Sequence, residues 1–265
     1  MNNVGLILFD IDGVIRDVTN SYRMAIQETV SFFCAWKPSI KDIDSIKSEG
    51  IWNNDWDLSL EMIKRYAQNN SSFLSVPTRQ ELIEVFENYY FGGDPNHDSS
   101  EWSGFINNEK LLINKNFFDE LTHRKIGWGF VSGAELPSAK FILEKRLGLT
   151  SAPLVAMGDA PDKPDPTGLI SLSSKLSEIP LGVSNPPIAY IGDTVADVKT
   201  VMNARIVIPH QKFISLAIAP PHLHLKSNQE ERKNYEDKLK EAGADLIIES
   251  LNSFKNQITP LFTIH

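Results

Sequence analysis

The chain opens on an apolar run, Val4-Gly5-Leu6-Ile7-Leu8-Phe9, that stops abruptly at Asp10-Ile11-Asp12-Gly13-Val14. A short run without polar alternation, bounded by a glycine turn, predicts a strand buried on both faces, as inside a parallel sheet. From Ser21 to Trp36 the period changes: Tyr22, Ala25, Ile26, Val30 and Phe33 share one helical face, and Lys37-Pro38 marks the stop. Shorter helical stretches follow near 39–47, 56–68 and 78–90, and a turn-rich run from Phe91 to Ser100 closes the region. Residues 19–106 therefore read as all helical. Beyond them the texture alternates. A helix over 110–122 precedes apolar runs at 127–131, 154–157, 188–191, 205–208 and 245–248, each separated from the next by helix-period or turn sequence. Strands alternating with helices predict a parallel sheet with crossover connections. The expected fold is α/β: a doubly wound parallel sheet built from 1–18 and 107–265, with an all-helical cap of residues 19–106 inserted after the first strand.

Composition narrows the function classes. A chain of 265 residues with 42% apolar and 23% charged residues can bury a substantial core. Its net charge of −8 argues against a nucleic-acid or anionic-membrane surface, and no apolar stretch approaches membrane-spanning length. Met1-Asn2-Asn3 leads into the first strand without the pattern of a signal peptide, and Cys34 has no second cysteine to pair with. A soluble, cytoplasmic protein is expected.

Chemistry collects at the strand ends. Asp10 and Asp12 follow the first predicted strand, Ser132-Gly133 the second, and Asp193 with Asp197 the fourth; Lys163 lies in the loop after the third. Strands of one polarity end on one edge of a parallel sheet, so residues far apart in the chain can meet there. Neighbouring carboxylates repel unless a cation intervenes, and carboxylate oxygens select a hard ion such as Mg²⁺. A lysine and a hydroxyl beside them suit phosphate oxygens, so the ensemble fits phosphoryl transfer. Each group alone has a plainer reading: Ser132 as a helix N-cap, Lys163-Pro164 as a surface turn, Asp193 and Asp197 as acids at a helix start.

Taken in order, Asp10-Ile11-Asp12-Gly13-Val14, Ser132-Gly133, Lys163-Pro164-Asp165-Pro166 and Gly192-Asp193-Thr194-Val195-Ala196-Asp197 resemble the four motifs of the haloacid dehalogenase superfamily. The helical insert after the first motif resembles the cap of the subfamily that includes phosphoglycolate phosphatases. That resemblance implies a Rossmann-like core and a set of roles. Asp10 would be the nucleophile that forms an aspartyl-phosphate, and Asp12 the acid and then the base. Ser132 and the Gly133 N–H would hold phosphoryl oxygens, with Lys163 balancing charge. Asp193 would ligate Mg²⁺ together with Asp10 and the Asp12 carbonyl, and Asp197 would help directly or through water. An acid at Asp12 favours ester hydrolysis over dehalogenation, because an alkoxide needs a proton and a halide does not. The activity so implied is a Mg²⁺-dependent phosphatase acting on a small phosphomonoester. A sugar-phosphate mutase, a phosphonate hydrolase with Lys47 as its nearest Schiff-base candidate, and a non-catalytic phosphoaspartate switch are the alternatives.

Within the insert, Gly50-Ile51-Trp52-Asn53-Asn54-Asp55-Trp56 places two tryptophans and two amides between helices. In relatives the corresponding loop reads the leaving group, so Asn53, Asn54 and Trp56 are expected to touch substrate; packing and helix capping are the competing explanation. Pro221-His222-Leu223-His224 reads as a loop with incidental histidines, and Trp36 with Phe32-Phe33 as cap core.

Overall fold

The computed structural model describes residues 3–47, 49, 52, 54–70, 75–255 and 257–263. Cα positions divide into two compact units, 1–17 with 110–265, and 18–109. In chain order, β1 (Gly5–Phe9) turns tightly into β2 (Arg16–Asp17), and four helices follow: α1 (Ser21–Cys34), α2 (Ile40–Lys47), α3 (Asp55–Asn69) and α4 (Arg79–Tyr90). The chain returns through β3 (Lys110–Leu111), which pairs antiparallel with β2. Next come α5 (Lys115–His123), β4 (Ile126–Val131) and α6 (Leu136–Lys140), which continues as a wider turn to Arg146. They are followed by β5 (Leu154–Val155), α7 (Thr167–Leu176), β6 (Ile188–Gly192), α8 (Val195–Val207) and β7 (Phe213–Ile218). The remaining elements are α9 (Gln229–Glu241), β8 (Leu246–Ile248), α10 (Leu251–Phe254) and α11 (Ile258–Thr263).

The first unit is an α/β layer structure. Its six-stranded sheet runs β5-β4-β1-β6-β7-β8, with every pairing parallel. β1 is central and fully buried, as its unbroken apolar run requires. Alternation along it serves both faces. Leu6 and Leu8 pack with Tyr190, Leu169 and Leu172 of α7, and Val201 and Ala204 of α8. Phe9 points the other way, with ring centroids 6.0 Å from Phe117 and 5.6 Å from Phe118 of α5. Burial of each such side chain stabilises the unit by roughly 1.5–3 kcal/mol.

One predicted strand is a helix. Arg205-Ile206-Val207 forms the last turn of α8, with Ile206 75% and Val207 61% exposed. The strand that fills this place in the sheet is β7, whose six residues are all buried. It was hidden because Phe213-Ile214-Ser215-Leu216-Ala217-Ile218 is no more apolar than the β-branched helix end before it.

The second unit packs α1 against α3 and α4. Ala25, Ile26, Val30, Leu58, Met62, Ile63, Leu82 and Phe86 are buried in it, and Tyr22 stacks on Tyr90 at 4.6 Å. Thr78 and Glu81 form a reciprocal capping box at the start of α4. Asn20 stands at the start of α1 without a side-chain cap bond. Trp36 stacks on Tyr66 at 5.2 Å, whereas Phe32 is exposed rather than core.

Candidate active site

The register of the sheet decides what meets. Phe9 of β1 lies opposite Phe130 of β4 and Ile191 of β6, so the chain emerges from all three strands at nearly the same level. Asp10 leaves β1 with its N–H donated to Ile191 O at 2.8 Å. Asp193 follows the last residue of β6, and Asp197 sits in the first turn of α8. Two glycines permit this crowding. A Cβ on Gly13, whose φ is +76°, would fall 2.1 Å from Asp193 Oδ2, and one on Gly192 would fall 2.2 Å from Asp197 Cβ.

Asp10, Asp193 and Asp197 are all buried, and each places an oxygen within 4.8 Å of the others. Lys163 reaches into them, with Nζ 2.6 Å from Asp197 Oδ1 and 2.9 Å from Asp10 Oδ1. The second contact is out of hydrogen-bonding direction, so Asp10 Oδ1 has a charge nearby but no directed bond. Asp197 Oδ2 accepts from Thr194 N at 2.9 Å and Thr194 Oγ1 at 2.6 Å, completing a capping box. The helix-start role foreseen for Asp197 is therefore real, and its other oxygen serves the site as well.

Ser132 is buried at the end of β4, and its Oγ accepts from Ala134 N at 3.1 Å. It is not the cap of α6, whose N-cap residue is Glu135. A Cβ on Gly133 would meet nothing within 4 Å, so the backbone here faces open space. Asp12 stands apart from the buried trio. Its carboxylate is 27% exposed and accepts from Arg16 Nε at 2.6 Å.

Two residues here carried no chemical role in the sequence reading. Arg16 is one. Tyr190 is the other: its hydroxyl accepts from Lys163 at 3.2 Å and lies 2.8 Å from Val131 O and 3.0 Å from Asp197 Oδ1. A signal existed in each case. A tyrosine in a strand buried on both faces needs a partner for its O–H, and an arginine four residues after an acid has one within reach.

Electrostatics follow from dryness. Burial pushes Asp10 up to about 7; Lys163 opposes the shift, and Asp197 and Asp12 add to it. Burial, then the charges of Asp197 and Asp10, hold Asp193 well above the carboxylate range. Burial works the same way on Asp197 but is outweighed by Lys163 and the Thr194 hydrogen bonds, leaving it low. Burial likewise disfavours charge on Lys163, yet the facing Asp10 and Asp197 keep it firmly protonated. Ionised together, the three carboxylates would carry more negative charge than one lysine balances, a surplus that a divalent cation would offset. An all-oxygen donor set with one undirected buried oxygen fits a hard ion such as Mg²⁺.

In the helical unit, Asn54 Oδ1 accepts from Trp56 N at 3.0 Å and Asp57 N at 3.1 Å and so caps α3. The Trp56 ring lies under Arg79, 5.3 Å from centroid to guanidinium carbon. Asn53 and the Lys47 side chain lie outside the described residues. His224 Nε2 is 2.8 Å from Ala219 O, in a short helical turn over Pro221–His224. Among the described residues no helix is long and apolar enough to cross a membrane.

Several known proteins are similar to this chain. Over 197 residues the chain is 31% identical to an imidazoleglycerol-phosphate dehydratase from Phytophthora nicotianae; the match takes in 74% of this chain and spans 40% of that relative's length. Among solved structures, a phosphonoacetaldehyde hydrolase-like protein from Oleispira antarctica superposes with TM-score 0.67 at 16% identity, covering 99% of this chain and 95% of the other. Phosphatase Tt82 from Thermococcus thioreducens gives TM-score 0.59 at 19% identity over 89% and 99% of the two chains. A family IA hydrolase of haloacid dehalogenase type from Entamoeba histolytica gives 0.59 at 14% identity over the full length of both. The family described as haloacid dehalogenase-like hydrolase matches residues 4–204, a span that begins just before β1 and takes in every residue of the acidic cluster; the chain belongs to that family.

Proposed function

We propose that the chain is a Mg²⁺-dependent phosphatase acting on a small phosphomonoester through an aspartyl-phosphate on Asp10. The observation that carries this reading is the buried Asp10, held beside Lys163 within a carboxylate trio whose charge a single lysine does not balance. Asp10, Asp193 and Asp197 would hold the ion, with the Asp12 carbonyl. Bound there, Mg²⁺ would offset the repulsion between an anionic nucleophile and an anionic ester. Lys163 would neutralise one phosphoryl oxygen, and Ser132 Oγ–H with the Gly133 N–H would hold the others. Asp12, the carboxyl outside the trio and open to solvent, would give its proton to the leaving alkoxide and later take one from water.

The test is phosphate release from a panel of small esters, with and without Mg²⁺, by the intact chain and by Asp10→Asn. Metal-dependent turnover that the substitution abolishes supports the reading; a folded, Mg²⁺-binding chain that hydrolyses no ester defeats it. The Phytophthora relative is named for acting on imidazoleglycerol phosphate, itself a phosphomonoester, and this chain corresponds to 40% of it. Phosphate esters of imidazole-bearing alcohols therefore belong at the head of the panel. Mutase and phosphonate hydrolase activities are the alternatives within the fold, and a long-lived phosphoaspartate without turnover would mark a switch.

A further inference from the structure

The guanidinium of Arg16 is fully buried, its side chain the largest fully buried one among the described residues, and it lies six residues after Asp10. Arginine keeps its charge at any ordinary pH, and removing that charge from water costs several kcal/mol unless partners compensate. A position in β2 beside the catalytic edge would be filled more easily by an apolar side chain. Instead Arg16 Nε donates to Asp12 Oδ1 at 2.6 Å.

The backbone fixes both ends of this pair. Gly13 N donates to Arg16 O at 2.9 Å, and Ile15 N and Arg16 N donate to Ile11 O at 2.8 and 3.1 Å. Arg16 itself lies opposite Leu111 in the two-stranded ribbon. The guanidinium is thus held by the strand, and the carboxylate by the guanidinium. Only one Asp12 oxygen takes part; among the described residues Oδ2 accepts no hydrogen bond. A carboxyl that transfers protons needs one oxygen anchored and the other presented, since misplacement by an ångström is costly in rate.

Resting on the phosphatase reading, we propose that Arg16 is a positioning residue that pins Asp12 Oδ1 so that Oδ2 faces the leaving-group oxygen. In the first half-reaction an Asp10 oxygen bonds to phosphorus. The phosphorus–oxygen bond of the ester breaks with its electron pair on the alkoxide, which takes the proton from Asp12 Oδ2. In the second, water bonds to phosphorus and gives its proton to Asp12 Oδ2. The bond to Asp10 then breaks, restoring its carboxylate and releasing inorganic phosphate. In this proposal Arg16 is not itself a proton donor or acceptor, and its effect on the rate is exerted through Asp12.

That dependence gives a readout a merely structural residue would not move. An alkoxide needs the proton far more than 4-nitrophenolate does. With saturating Mg²⁺, Arg16→Met is expected to lower kcat/KM on an alkyl phosphate by on the order of 10²-fold, and on 4-nitrophenyl phosphate by less than about tenfold. Arg16→Lys, which keeps the charge without the fixed fork and is the milder change for folding, should shift the ratio in the same direction. In an Asp12→Asn background, replacing Arg16 should alter the alkyl rate by less than about twofold, since the group it positions is gone. An equal fall on both esters, or a full further loss in the Asp12→Asn background, overturns the proposal while wild-type turnover keeps the phosphatase reading intact. Failure of the wild type on every ester overturns both.

Discussion

Asp10 and Asp193 are acids whose folded environment favours the protonated form, and the sign of the consequence is fixed. A carboxyl with a raised folded pKa stabilises the fold at low pH, and that contribution is lost as pH rises from the ordinary carboxylate range through about 7. Asp197, held low, contributes in the opposite sense, but only in acid, well below that window. The metal-free protein should therefore lose melting temperature between about pH 5 and about pH 8, and Mg²⁺ should restore most of it. Asp193→Asn should flatten the metal-free profile and raise its alkaline end while abolishing turnover, because it removes a charge that only the ion compensates. A metal-free profile that rises over this window would contradict the account. The glycines set a second residue-scale expectation. Gly192→Ala, whose Cβ would land on Asp197, should destabilise by roughly 2–4 kcal/mol in urea denaturation, even with Mg²⁺ present.

At the scale of elements, the sequence was most readable where period and terminator agreed. β1 combined an apolar run with an Asp-Gly stop, and α4 combined helical spacing with the Thr78–Glu81 box. It was least readable at 205–218, where a β-branched helix end preceded the true strand, because a local run cannot tell buried from exposed apolar residues. Tyr190 signalled that it needs a partner without saying which, and Arg16 had an acid within reach without its geometry; the fold supplied both. Asn54 gives this scale its prediction. Its Oδ1 is committed to the α3 N-terminus, so Asn54→Ala should lower stability by about 1 kcal/mol. If Asn54 also reads substrate through its amide nitrogen, KM rises as well. If it only caps, Asn54→Asp keeps both stability and KM at wild-type values.

For the whole molecule, strand order explains why residues spread from Asp10 to Asp197 form one site. β1 lies between β4 and β6, so three motif-bearing loops leave adjacent strands at one edge, while β7 and β8 extend the sheet beyond β6. The family match ends at residue 204, before both of these strands and α9. Tyr235 of α9 nevertheless donates to Asp193 O at 3.0 Å, tying that later segment to the acidic loop. Tyr235→Phe should weaken Mg²⁺ binding by a few fold in calorimetry, on the order of the 1 kcal/mol a single hydrogen bond contributes. The central claim is that Asp10 is the nucleophile. Its most direct test is acid quenching of the intact chain during turnover of a ³²P-labelled ester with Mg²⁺, followed by peptide mapping. The account predicts an acid-stable, alkali-labile label on the peptide bearing Asp10, absent from Asp10→Asn. Steady phosphate release with no label there, or with label on another residue, would contradict it.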